Sequence, residues 1–300
     1  MPFNHNKRYK RIFSNPYFLQ KLLESFVHED FIRKLDFTTL KRLDKSFVSK
    51  EFRRKESDLI YSVSFENTPV YIFLLIEFQS TVDKMMPVRF LRYITELYET
   101  FHGKTESGKL PAVFPVLLYS GNPRWTAETE IRKLIEITVP DKYIPAFSYY
   151  PILENEISKE SLLKIKNAVS AIFYIENSKP EDLEPEIDKI IKIIMNEKPN
   201  VLTEFSNWLN NYLGSLSGLA EKDTISLKIE NVMEVRSMLA TRMKAYNKKL
   251  IEQGIKQGFE KGTEQTEKRV VLNMQSHGFA AEEIAELTGL SIDEIRKFLQ

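Results

Sequence analysis

The chain of 300 residues carries a formal net charge of +1 and no cysteine, with 42% hydrophobic and 12% aromatic residues. That composition supports a buried core and excludes global disorder, disulfides, thiolate metal sites and a cysteine nucleophile. With so little net charge, any nucleic-acid surface must come from local clustering rather than from a basic field over the whole molecule.

Residues 1–11 are polar and basic with no apolar stretch, so no signal peptide is expected. The longest apolar run, 70–76, is too short to cross a bilayer, and a cytoplasmic protein without membrane association is expected. Residues 15–43 read as helical, with Phe18, Leu19, Leu22, Leu23 and Phe26 on one face. The stretch 47–55 is rich in Lys and Arg. Residues 58–65 then alternate, with Leu59, Tyr61, Val63 and Phe65 on one side and Asp58, Ile60, Ser62 and Ser64 on the other, which predicts a strand. Residues 66–69 make a turn. The run 70–78 is almost wholly apolar and predicts a central strand buried on both faces.

A helix over 87–101 follows, with Asp83 placed to help cap it and proline tolerated in its first turn. Residues 103–108 read as a loop, 112–119 as a strand, 129–137 as a helix and 147–153 as a short strand. From 158 the pattern is helical, in segments near 158–175, 180–196, 201–213 and 225–249. Gly254, Gly258 and Gly262 recur at every fourth residue. In a helix they form one stripe, each costing about 1 kcal/mol against alanine. A close-packed second helix would offset that cost; a linker or mobile helix is the alternative and the favoured reading. Residues 280–299 resemble a small helix-turn-helix, Ser291 capping its second helix with Glu294 at capping-box spacing. That helix opens with Asp293 and Glu294, which argues against base reading and for a partner or self-association role.

The two strands around the turn carry the chemistry. If Asn67 and Thr68 form the loop, Asp58 lies directly opposite Glu77, with Cβ atoms roughly 5 Å apart. Gln79, two residues on, shares the face of Glu77. Opposed carboxylates repel and resist desolvation, and a bound cation resolves the conflict. From spacing alone the alternative stays open that Asp58 and Glu77 merely begin and end strands in solvent.

The segment Arg54-Lys55-Glu56-Ser57-Asp58-Leu59-Ile60-Tyr61 resembles the first acid-bearing strand of the recombination-promoting nuclease and transposase (YhgA-like) family, within the PD-(D/E)xK nuclease superfamily. Leu74-Leu75-Ile76-Glu77-Phe78-Gln79-Ser80 resembles its second, with E-x-Q in place of E-x-K. Asp83, Met86, Arg89, Leu91, Arg92 and Tyr93 match the helix that follows, and 110–119 with Gly121, Trp125 and Thr126 match the next strand and loop. The resemblance covers about residues 5–155. It implies an α/β restriction-endonuclease-like mixed sheet flanked by helices, with a helical C-terminal extension.

It further implies DNA phosphodiester hydrolysis with Mg²⁺ or Mn²⁺ held by Asp58 and Glu77, and Gln79 orienting water or phosphate. Arg89 and Tyr93, one turn apart, and the basic Lys10, Arg53, Arg54 and Lys55 are candidate DNA contacts; Arg89 pairing with a carboxylate while Tyr93 packs is equally open, and so is an ordinary solvated role for the basic residues. The family carries His-Asp near its start, where this chain has His5-Asn6. That departure and the missing lysine motivate the rival reading of a degenerate nuclease fold that binds DNA or protein. The expected division is a nuclease-like core over 1–155, a helical extension over 156–249 and a tail over 250–300 that serves homo-oligomer assembly or targeting.

Overall fold

A computed structural model describes residues 2–43, 58–77, 81–105, 108–216 and 228–299, without the side chains of 2–4, 58 and 77. Two compact units divide it, Met1–Thr241 and Arg242–Gln300.

The first unit is built on a mixed sheet of five strands among the described residues, in the order β1-β2-β3-β4-β5. These are β1 (Leu35–Arg42), β2 (Asp58–Phe65), β3 (Thr68–Glu77), β4 (Ala112–Tyr119) and β5 (Tyr150–Leu153). The pairs β1–β2 and β2–β3 are antiparallel, while β3–β4 and β4–β5 are parallel. β3 is central, and Ile72 through Ile76 are each 0% exposed, as its unbroken apolar run predicts.

Helices cover both faces. α1 (Pro2–Phe13) and α2 (Pro16–Phe26) lie on one side, where Tyr61 donates its hydroxyl to the Phe13 carbonyl at 2.6 Å. α3 (Met86–Phe101) crosses the other, its Phe90, Tyr93 and Leu97 packing with Ile60, Phe73, Leu75, Leu117 and Tyr119. The Asp83 carboxylate accepts the Met85 N–H at 2.9 Å in the turn ahead of α3; Met85 is the N-cap and no side chain caps the helix, so Asp83 steadies that turn instead of capping as its position suggests.

The sequence pattern is corrected at three places. The helix expected over 15–43 ends at Phe26, and residues 35–42 form the edge strand β1. β1 shows no period-two pattern because it is an exposed edge with only Leu35 buried, and its register is interrupted between Asp36 and Lys41. The helix expected over 129–137 shrinks to a 3-10 turn at Ile131–Leu134, where the chain instead bridges Glu130 to Ser148. The β2–β3 loop is Glu66-Asn67, both at positive φ (48° and 66°), so Phe65 pairs with Thr68. A loop of Asn67-Thr68 would force β-branched threonine into the left-handed region, which it resists; asparagine tolerates it.

Beyond β5, α4 (Lys159–Ile165), α5 (Ala168–Glu176), α6 (Leu183–Ile194) and α7 (Pro199–Leu216) complete the helical part of this unit. α5 is apolar nearly all round and is buried from Ala168 to Ile175. Asn167 and Ser170 form its reciprocal cap, and Phe173 meets Phe26 of α2 at 4.9 Å. Core and extension therefore share one compact unit up to Thr241.

α8 (Val232–Ser276) is continuous for 45 residues, so the glycine-bearing stretch is helix rather than linker. A Cβ added at Gly254, Gly258 or Gly262 would meet nothing within 4 Å, so no described residue requires their small size. In the second unit, α9 (Ala281–Thr288), a left-handed Gly289 at φ 75° and α10 (Ile292–Leu299) form the expected helical pair. Ser291 and Glu294 cap reciprocally, at 2.9 Å from the Ser291 N–H and 3.3 Å from the Glu294 N–H. The apolar side of this helical pair packs on Val271 and Met274 of α8, with Ile284, Ile295 and Phe298 buried; Leu287 stays exposed. With so small a core, Ile295→Ala should cost about 2–5 kcal/mol and unfold this element. Limited proteolysis should then cut within 277–300 while the first unit stays resistant. Unchanged resistance of the tail would refute that packing account.

Among the described residues, no helix is long and apolar enough to cross a membrane.

Candidate active site

The shifted loop moves the strand register by two residues, so Asp58 pairs with Leu75 and not with Glu77. Direct opposition of the two acids is thereby corrected. A two-residue shift preserves faces, because side chains alternate with period two. Positions 58 and 77 therefore still share a face and a sheet end, as diagonal neighbours at about 7–8 Å. Position 77 also lies level with Tyr119 on β4. This is the carboxyl end of the parallel strands, the end at which open α/β sheets place ligands.

The shared face is the one under α3. Ile60, Phe73, Leu75 and Tyr119 lie on it and are buried. Phe73 packs edge-on against Phe90 at 5.7 Å and against Tyr93 at 5.4 Å. Tyr93 is 1% exposed and belongs to this core, so it packs rather than offering a ring to DNA. Its hydroxyl accepts from Arg89 Nε at 3.2 Å, and Arg89 Nη1 stands 3.9 Å from an Asp83 oxygen. The start of α3 thus holds a guanidinium, oriented by a tyrosine and an aspartate, above the face that carries 58 and 77. Near its foot, Tyr119 donates to the Pro123 carbonyl at 2.8 Å, and Trp125 Nε1 donates to the Tyr149 hydroxyl at 3.1 Å. Burial pushes the Tyr149 phenol up to about 12, so it is neutral there.

Gln79, Arg53, Arg54 and Lys55 lie outside the described residues, as do the side chains of Asp58 and Glu77. Lys10 is half-buried on α1. Among the described residues no three His, Asp or Glu side chains are grouped to hold a metal ion. The register brings two carboxylate residues, Asp58 and Glu77, to one face of this sheet end. Mg²⁺ accepts so few protein ligands, completing its shell with water and phosphate oxygens.

Sequence reasoning gave no sign of a buried polar group on the opposite face at the same sheet end. Tyr9 of α1 donates its hydroxyl to the Glu154 carboxyl just after β5, 2.7 and 2.8 Å from its two oxygens. Burial and the charge of Glu176 raise Glu154 well above the usual carboxylate range. His5, whose Nε2 is 3.4 Å from Ser120 Oγ and 3.3 Å from Glu176 Oε1, completes the group. The family resemblance drew attention to His5 through its neighbour Asn6; nothing local marks Glu154.

A family model described as "Putative transposase, YhgA-like" matches residues 3–215. The inactive recombination-promoting nuclease-like protein RpnE of Escherichia coli K12 is 22% identical over 97% of this chain and 96% of that protein. The recombination-promoting nuclease RpnA of the same strain is 38% identical over 29% of each chain. RpnC, also a recombination-promoting nuclease of that strain, is 30% identical over 39% of each. No solved structure matches.

Proposed function

The chain belongs to the YhgA-like transposase family, and from that membership we propose that it is a metal-dependent DNA endonuclease acting in recombination or on mobile elements. The observation that carries the reading is register: positions 58 and 77 share one face at the carboxyl end of the central strand. Relatives named as recombination-promoting nucleases support the reaction class.

In this reading Asp58 and Glu77 hold Mg²⁺ or Mn²⁺, a hard cation that supplies an activated water and stabilises the leaving oxygen of a phosphodiester. Gln79 orients the water or a phosphate oxygen through its amide and brings no charge. Positive charge comes from Arg89, which Tyr93 and Asp83 orient, and from Lys10, Arg53, Arg54 and Lys55 along the DNA backbone. The tail beyond 250 is dispensable for chemistry and serves assembly.

A second reading, a degenerate nuclease fold that binds DNA or protein, is favoured by one observation: the relative matching along almost its whole length is named inactive. The two are separable. Purified protein should nick supercoiled plasmid with Mg²⁺ or Mn²⁺ and not with a chelator. Plasmid retarded on a gel but uncut under every cation would sink the enzyme reading and support the second.

A further inference from the structure

α1 is tied to the carboxyl ends of β4 and β5 by a buried acid that meets no cation. Glu154 and Tyr9 are both 0% exposed. The Glu154 carboxyl receives the Tyr9 hydroxyl on both oxygens, and Ser120, the residue after β4, has its hydroxyl 3.4 Å from His5 Nε2. His5 stacks on Tyr9 at 4.5 Å, and the Arg8 guanidinium turns to Glu176, 3.8 Å away. The charged or titratable groups facing Glu154 are thus Tyr9, with His5 and Arg8 beyond it on α1, and Glu176 on α5. Among the described residues no cationic nitrogen lies within salt-bridge distance of Glu154, and its carboxylate neighbour repels a second charge. An ionised carboxylate in such a place costs more than it returns, and the group keeps its proton instead. As a neutral acid it can still accept from the Tyr9 hydroxyl.

We infer that Glu154 is a positioning residue, an uncharged acid that receives Tyr9 and so fixes α1 against the sheet end where Glu77 lies. The link to that end is short: Glu154 follows Leu153 of β5, which pairs with Tyr119 on β4, itself level with Glu77 on β3. The inference rests on the proposed function for its catalytic consequence, but not for its test in folding.

The sign follows from proton uptake. The folded state keeps a proton on Glu154 that the unfolded chain releases near the ordinary carboxylate value. The contribution is therefore fully present in acid and is lost as pH rises towards the raised value in the folded protein. One proton corresponds to about a tenfold fall in the folding constant per pH unit across that window. Glu154→Gln keeps one acceptor and one donor but cannot ionise. Urea unfolding of the full chain across pH should show wild type losing stability relative to Glu154→Gln with that slope as pH rises. Glu154→Leu should be less stable than Glu154→Gln at every pH, since it strands the buried Tyr9 hydroxyl. The plasmid-nicking rate of wild type should fall on the alkaline side, with Glu154→Gln holding its rate further up. Parallel unfolding curves for wild type and Glu154→Gln, or a Gln variant that does not fold, would overturn the inference. If wild type does not nick at all, the nuclease reading fails and the unfolding comparison alone decides this one.

Discussion

Asp58→Ala is expected to lower metal-dependent plasmid nicking by about 100–1,000-fold, the size of effect seen when one electrostatic stabiliser is removed from an active site. The protein should stay folded. Position 58 begins β2, and the adjoining core positions Leu59, Ile60 and Tyr61 are buried by their own contacts. Removing one of two acids that share a sheet end also relieves repulsion, so stability should hold or rise slightly. Circular dichroism and the urea midpoint check the fold, and initial nicking rates check the chemistry. Activity close to wild type in a folded variant would remove Asp58 from the site.

Phe73→Ala is expected to destabilise the first unit by about 3–5 kcal/mol. Phe73 is 0% exposed in the middle of the central strand, wedged between Phe90 and Tyr93 of α3. Its loss leaves a cavity between sheet and helix that neither rigid side can easily close. That is a large share of a typical domain's total stability. Because the same side chain holds Tyr93, and Tyr93 orients Arg89, nicking below the unfolding transition should weaken as well. A change under about 1 kcal/mol in urea denaturation would show that sheet and α3 are not packed as described.

The central strand β3, β4 and α3 are legible in the sequence because burial stamps its pattern on them. β1 is not, because an exposed edge strand imposes no alternation and its eight residues follow a helix without a strong break. The placement of 58 and 77 on one face survived a wrong loop because the error was an even number of residues. An error of one, which an odd-length loop would give, would have sent them to opposite faces. The Tyr9–Glu154 pair spans 145 residues, and neither side chain carries a local signal of its partner. A lone glutamate after a short strand reads as solvated until the fold brings α1 over it. The helical pair at the C-terminus was recognisable from its caps and glycine, yet its packing on Val271 was not, since α8 shows little amphipathic pattern along its length.

The central claim is that Asp58 and Glu77 form one site. Single-turnover cleavage of a labelled DNA duplex in saturating Mg²⁺ tests it most directly, comparing Asp58→Ala, Glu77→Ala and the double variant. Residues that act as a unit are non-additive, so each single variant should lose nearly the whole rate and the double variant little more. Losses that multiply in the double variant, or cleavage at the wild-type rate in all three, would contradict a shared site.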